Sequence, residues 1–299
     1  MSAGTTSTSS RRSGLRLLLA GVLAWGSLMA VAPSAQAAQL PYPAPVQGRN
    51  ANTVTSDFLP TAQIDSGVVW TLKVIGNTVY AGGSFSAARP AGSLAGQNTV
   101  PRSNLLSFNL TTGQLTSFAP TFNGQVKSLA ASPDGTRLYV GGSFTSVNGQ
   151  TRYNIAAFDT ATGALSDAFK PLVGGSYVNA IAVTSTAVYV GGLISAGNGV
   201  ARKNLMAFTT TGALLGWAPT TDLQVDAMVM NTSGSKVIVG GRFYTVNGVV
   251  QRGLAALSPA DGSIQPWIAP TVVKNGWNDG GTYSGKAGIY SLSSDGNAI

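Results

Sequence analysis

Four arginines recur at intervals of 50 residues and are the first candidates for chemistry. Arg102, Arg152, Arg202 and Arg252 each precede a short apolar run. At equivalent positions of a repeat they would form a ring of guanidinium groups that binds carboxylate or sulfate through paired hydrogen bonds. Alternatively, each arginine donates hydrogen bonds to loop carbonyls or to an acidic neighbour within its own repeat. The sequence leaves both interpretations open.

A second candidate group lies where the repeat pattern is interrupted, at residues 272–286. This stretch contains Trp277, Asn278, Asp279 and Tyr283. A tryptophan face packs against a sugar ring, while amide and carboxylate groups bond to its hydroxyls. The stretch is therefore a predicted ligand contact, although Trp277 could equally cover its own sheet as a hydrophobic lid. A second interruption, at about residues 88–100, is the other loop in which we expect function.

The residue types argue against catalysis. The chain has no His, no Cys and no Glu, so it lacks the commonest general base, a thiol nucleophile and the commonest metal ligand. Several of its ten acidic residues, all Asp, fall in turns. We predict no catalytic residues, no metal site and no cofactor. A Ser–Lys arrangement stays open, but no pattern places one.

The elements that must position these side chains repeat along the chain. The run LYVGG at residues 138–142 has counterparts that end at Gly83, Gly192 and Gly241. Each repeat of about 50 residues contains four short strand patterns separated by turns such as Asn-Gly and Asp-Gly. This periodicity predicts an all-β fold, a β-propeller of four-stranded antiparallel blades. A solenoid of similar period is the alternative.

The repeat boundaries predict how the ring is assembled. We place repeats at residues 66–122, 123–174, 175–221 and 222–281, and a partial repeat at 282–299. They give four blades plus the start of another. The N-terminal segment 38–65 contains at 57–61 an isolated match to the end of every repeat, so this strand is expected to complete a blade. Because the partial repeat stops inside its second strand, we expect the natural product to continue past Ile299.

The N-terminus has the pattern of an export signal at residues 1–37. Three arginines precede an apolar run at about 17–31, and a small-x-small cleavage pattern follows at Ala35 to Ala37. We expect a secreted protein, with no membrane span after cleavage; the alternative is an uncleaved anchor. The route is open between general secretion and twin-arginine export, since Gly14 replaces the aromatic residue usual in twin-arginine signals.

The repeat motifs resemble the delta-60 repeat group of secreted bacterial proteins and, more loosely, kelch propellers. The resemblance rests on the hydrophobic-Gly-Gly-x-Phe strand at 140–144, Asn148-Gly149, the Ala-Phe-Asp run at 157–159 and Gly163. It covers about residues 57–299. Departures are Leu193-Ile194 in place of Ser-Phe, and residues 253–257, which lack the Asn and Phe. The resemblance implies export, often from actinobacteria and with further carbohydrate-recognition modules, and implies no single conserved chemistry.

Composition and resemblance together predict a binding protein. Charged residues make up only 9% of the chain and the formal charge of +8 is spread along it, so nucleic acid is not an expected partner. We predict a secreted interaction module for extracellular polysaccharide or a cell-surface partner. Two alternatives stay open: a scaffold for an enzyme whose catalytic residues lie beyond Ile299, and a structural cell-surface protein.

Overall fold

The computed structural model describes residues 61–267, 269–272 and 288–293, all within one unit, Asn50–Ile299. Several predictions fall outside these residues. They are the signal peptide at 1–37, nearly all of the closing strand at 57–61, the loop cluster of Trp277, Asn278, Asp279 and Tyr283, and the partial repeat apart from 288–293.

The first two predicted repeats form one blade each, built from three longer strands and a short hairpin. Blade 1 comprises β1 Val68–Ile75, β2 Thr78–Ser84, β3 Ala87–Ala88, β4 Val100–Pro101 and β5 Leu105–Asn109. Blade 2 comprises β6 Gln125–Ala131, β7 Arg137–Ser143, β8 Ser146–Val147, β9 Gln150–Thr151 and β10 Ile155–Asp159.

The next two repeats form blades 3 and 4. Blade 3 comprises β11 Val173–Val183, β12 Ala187–Gly197, β13 Val200–Ala201 and β14 Leu205–Thr209. Blade 4 comprises β15 Val225–Met230, β16 Val237–Gly241, β17 Thr245–Val246, β18 Val249–Val250 and β19 Leu254–Leu257. A short helix, α1 Ala269–Val272, follows blade 4. No helix among the described residues is long and apolar enough to span a membrane.

Each blade is an antiparallel sheet in which the second strand is central, with orders β1-β2-β5, β6-β7-β10, β11-β12-β14 and β15-β16-β19. The predicted fourth strand pairs with the third at a single bridge, as in Phe158 with Leu165. A proline follows within a few residues in every repeat and cannot donate to a ladder. The aromatic residue of this segment still packs on its blade, since Phe169 lies edge-on to Tyr139 at 5.1 Å.

The first strands of successive blades lie side by side around a common axis. Strand β1 contacts β6, β6 contacts β11, and β11 contacts β15. Hydrophobic clusters fill the space between neighbouring blades, so that each blade is buried against the next. This arrangement is a β-propeller, as the repeats predict. We refer to β1, β6, β11 and β15 as the inner strands.

The double glycine on each second strand has two separate packing roles. A Cβ atom at Gly141 would lie 2.5 Å from Cγ1 of Val178, on the inner strand of the next blade. A Cβ atom at Gly142 would overlap the carbonyl oxygen of Gln125, on the inner strand of its own blade. The same pairs of contacts recur at Gly82 and Gly83, at Gly191 and Gly192, and at Gly240 and Gly241. The first glycine lets the blades approach, and the second accommodates the inner strand.

Residues 288–293 lie against blade 4 where the inner strand of a further blade would lie. A Cβ atom at Gly240 would be 2.7 Å from Cγ2 of Ile289, and the Ile289 amide donates to the Gly241 carbonyl at 3.3 Å. Ile289 therefore occupies the position that Val126 and Val178 occupy on β6 and β11. The described part of the predicted partial repeat is thus placed as the start of another blade.

Candidate functional site

Every inner strand contains, at an equivalent position, an extra residue that its ladder leaves unpaired; β11 has a second one, Ser176, before this position. The pairing register shifts at Trp70 in β1, Lys127 in β6, Asn179 in β11 and Asp226 in β15. Tyr290 follows Ile289 as Lys127 follows Val126, so it takes the same position. All five side chains line one cavity of about 190 Å³ at the axis of the propeller. These β-bulges aim chemically different residues at one point.

One side of this axial cavity is organised by a buried carboxylate. The Asp226 side chain is only 6% exposed, and its Oδ2 lies 3.3 Å from Nε of Arg242. Its Oδ1 accepts hydrogen bonds from Asn179 Nδ2 at 2.9 Å and from Gln224 Nε2 at 2.6 Å. Arg242 also stacks over Tyr290, 5.2 Å from the ring centre. Both carboxylate oxygens are therefore bonded, and the negative charge is compensated.

The opposite side of the axial cavity is aromatic and cationic. The Lys127 ammonium lies 5.7 Å from the ring centre of Trp70 and 5.2 Å from that of Tyr177. The Tyr177 hydroxyl donates to Gln224 Oε1 at 3.0 Å, which connects this side to the carboxylate. Contacts therefore run from blade 1 through every described blade to Tyr290. Aromatic faces beside amide and charged groups suit a small polar ligand such as one sugar ring.

Three larger cavities lie away from the axis. One of about 340 Å³ is lined mainly by hydroxyl groups and loop residues of blades 1 and 2, and another of about 440 Å³ is lined by Phe85, Phe122 and loop residues of the same two blades. The third, of about 500 Å³, is lined by blade 4 and α1 and includes Arg252 and Trp267. None of them gathers side chains from all the blades. The axial cavity does, and it also holds paired and unpaired charges, so it is the best candidate.

Three of the predicted arginines occupy equivalent positions and bond within their own blades. Arg102 donates to the carbonyls of Pro101 and Thr116, and Arg202 donates to those of Ala201 and Leu215. Arg152 is buried and donates to the equivalent carbonyls of its own blade, with Asp167 Oδ1 at 3.2 Å. Burial lowers the pKa of the Arg102 guanidinium below its usual value. These contacts match the structural interpretation, while ligand binding by these arginines stays a prediction.

The fourth arginine is not equivalent to the others. Leu205 pairs with Gly191, and Leu254 pairs with the corresponding Gly240, so Gln251 stands where Arg202 stands and Arg252 is shifted by one residue. The Gln251 amide accordingly bonds to Tyr244 O as the Arg202 amide bonds to Ser195 O. Arg252 instead lies over the Tyr244 ring at 5.7 Å. The prediction of four equivalent arginines is wrong because the third strands of blades 3 and 4 begin 49 residues apart, at Leu205 and Leu254, so an arginine 50 residues after Arg202 falls one position late.

The interrupted loop at 88–100 is folded around one ion pair in blade 1. Arg89 is buried, and its Nε lies 2.6 Å from Asp65 Oδ1. Asp65 Oδ2 accepts bonds from the Gly96 amide and the Thr99 hydroxyl, each at 3.2 Å. The hydrogen bond from Arg89 is the main cause that lowers the pKa of Asp65. Ligand binding by this loop stays a prediction.

The bulge residues were missed because their role depends on strand register. The signal is nonetheless in the sequence. Each inner strand has the pattern of a β-branched residue, a variable residue and a small residue, as in Val126-Lys127-Ser128 and Ile289-Tyr290-Ser291. When the residue type varies at one position of every repeat while both neighbours keep their type, the pattern indicates side chains that meet at the axis. The described residues hold no group of three or more Asp, Glu, His or Cys that could bind a metal ion.

Two family models match parts of the chain. Residues 105–213 match the Rax2 C-terminal beta propeller domain, and residues 235–265 match a domain of unknown function, DUF5122, described as a beta-propeller. Both similarities agree with the fold. The matched segments correspond to the second and third blades with their borders and to part of blade 4, and neither covers half of the chain.

Comparison with whole proteins adds little. No curated protein matches the chain. Among solved structures, a chain of "Crystal Structure of Mitotic Checkpoint Complex" is similar over 70% of this chain at 12% identity, with a TM-score of 0.44. This chain spans 56% of that one. The β-propeller fold rests on the strand arrangement and on the two family models.

Proposed function

We propose that this protein is a secreted β-propeller binding module that recognises extracellular polysaccharide through its axial cavity. The observation that carries the proposal is the meeting of Trp70, Lys127, Asn179, Asp226 and Tyr290 in one cavity. Polysaccharide recognition needs flat apolar faces for the ring and directed polar groups for the hydroxyls. The axial cavity supplies both, and the cavity volume suits one sugar residue of a longer chain.

Secretion is supported by the charged, apolar and small-residue regions of residues 1–37. Protein recovered from the culture supernatant should begin near Ala38, which intact mass and N-terminal sequencing would establish. Material that keeps residues 1–37 and stays with the cells would contradict this part of the proposal.

Co-sedimentation with insoluble polysaccharides tests the binding function. We expect the full chain to sediment with at least one of cellulose, chitin, xylan or pectin, and Trp70→Ala to weaken that binding by about tenfold or more, as expected for loss of a binding hot spot. Trp70 is more than half exposed, so its truncation leaves the core intact. Equal thermal denaturation temperatures of variant and parent would verify this.

Two further variants locate the site. Tyr153→Ala removes an exposed aromatic side chain outside the axial cavity and should bind as the parent does. Trp277→Ala tests the stretch that the sequence singled out. Loss of binding in Trp277→Ala but not in Trp70→Ala would move the site to residues 272–286, and failure of the parent to bind any polysaccharide would overturn the proposal.

A further inference from the structure

The axial cavity holds one cation that lacks an anionic partner. Two charged residues line it, Lys127 and Asp226, and Asp226 is paired with Arg242 at 3.3 Å. Lys127 contacts only aromatic rings: no hydrogen bond or ion pair of its ammonium is found among the described residues. The one charge of the cavity that is left without a counter-charge is therefore that of Lys127, which lies between Trp70 and Tyr177.

A polar hydroxyl without a partner adjoins this cation in sequence. Ser128 lines the same cavity and is only 7% exposed, and its Oγ has no hydrogen-bond partner. A buried hydroxyl without a partner loses free energy that an incoming acceptor restores. The Ser128 Oγ is enclosed beside Gly141, where an added Cβ would overlap it, so the unpaired ammonium of Lys127 is the group that calls for a ligand with an anionic oxygen.

The surroundings of Lys127 strengthen its attraction for an anion. It is half-buried between aromatic side chains, so its field is less screened by water than that of an exposed lysine. Stacking also restricts the ammonium to one part of the cavity, which reduces the entropy lost on binding. Such a site discriminates between a charged and a neutral ring of the same size.

We infer that the axial cavity selects an anionic sugar residue, bearing a carboxylate or a sulfate, through the Lys127 ammonium. This inference rests on the proposed polysaccharide-binding function. Trp70 contacts the ring, Lys127 binds the anionic group, and the Asn179–Asp226 pair faces the sugar hydroxyls.

Calorimetric titration of the full chain with matched oligosaccharides tests the inference. Oligogalacturonate is compared with its fully methyl-esterified form, and a sulfated oligosaccharide with its desulfated form, so that the two anions are distinguished. We expect at least one anionic form to bind about tenfold or more tightly than its neutral counterpart. This preference should decrease as NaCl is raised from low concentration to about 0.5 M, because salt screens a partly exposed charge.

Three variants assign the preference to the lysine. Lys127→Met keeps the side-chain stem but removes the charge, so the preference should fall to about onefold, whereas Lys127→Arg should retain it. Lys203→Met removes an exposed lysine outside the cavity and should behave as the parent does.

The outcomes separate the inference from the proposed function. If neutral and anionic forms bind equally to the parent, selection of an anion is wrong while polysaccharide binding stands. Persistence of the preference in Lys127→Met would show that another cation selects the anion. Absence of binding to every oligosaccharide, together with failure to sediment with any polysaccharide, would overturn both.

Discussion

The inner strand of blade 1 and those of the following blades have similar sequences but opposite environments. Val69 in β1 is 38% exposed, whereas Val126, Val178 and Val225 at the same register position are fully buried. Leu72 is 61% exposed, and its counterpart Ile181 is 7% exposed. The difference arises because each buried valine packs against the first glycine of the preceding blade, and no described residue takes that place beside Val69. Burial of an inner strand is therefore a property of the pair of blades.

The largest effect is expected from alanine at the second glycine. In Gly142→Ala the new Cβ overlaps the Gln125 carbonyl, and β6 is fixed on both sides, so we expect a loss of about 3 kcal/mol or more in the free energy of unfolding. Gly83→Ala creates the same overlap with Val68, but β1 has room to shift and the loss should be smaller. Urea denaturation measures both.

Gly216→Ala is the control, because its Cβ would meet no atom within 4 Å. We expect it to change stability by less than about 0.5 kcal/mol. Equal losses of stability in Gly83→Ala and Gly142→Ala would show that β1 is as restrained as β6. That result would contradict the difference between blade 1 and the following blades.

Truncation of the inner-strand valines should give an intermediate effect. Val178→Ala leaves a cavity between blades 2 and 3, and we expect a loss of about 1.5–3 kcal/mol. Val69→Ala removes a side chain that already contacts water and should cost about 0.5 kcal/mol or less. The measurement is again urea denaturation, with equal slopes required. A cost for Val69→Ala comparable to that for Val178→Ala would mean that another surface covers β1 in solution.

The smallest effect concerns the hairpins that join the second and third strands. Asn148-Gly149 forms an uncharged turn in blade 2, with positive φ at both residues, whereas blade 1 has the ion pair between Asp65 and Arg89. The pKa of Asp65 is lowered from 3.8, so the stabilisation by its charge is present above the unfolded-state pKa and is lost as pH falls through the lower folded-state value. Acid should therefore loosen the loop at 88–100 and leave the Asn148 hairpin unchanged.

Hydrogen exchange of the Arg89 and Gly96 amides, followed from pH 6 to pH 3, would measure this difference. In Asp65→Asn the amides of this loop should exchange fast at every pH. Their exchange rate, divided by that of the Asn148 amide as internal reference, should no longer rise as the pH is lowered. Parallel pH dependence in both hairpins of the parent would contradict the assignment to Asp65, since the pKa values of Asp134 and Asp261, in other turns, are also lowered by hydrogen bonds.

The sequence allowed the fold to be predicted because the restrictive positions are glycines, which repeat visibly. It did not allow the register to be predicted with the same accuracy. A bulge such as that at Lys127 is recognised only when the partners of Val126 and Ser128 are known. The shift of Arg252 was not recognised because the four arginines are evenly spaced in the sequence, whereas the third strands of the blades are not. Likewise, the repeat pattern predicted a full fourth strand, but this segment pairs with the third strand at a single bridge.

The five bulge positions separate the part of the molecule that determines folding from the part that determines recognition. Because none of the bulges in the four inner strands has a ladder partner, those side chains can change without loss of a strand-to-strand hydrogen bond. A gene library that varies only codons 70, 127, 179, 226 and 290 would therefore sample many axial surfaces on one constant backbone. By the same reasoning, duplication of a repeat followed by mutation of one codon would be enough for a descendant to acquire a new specificity.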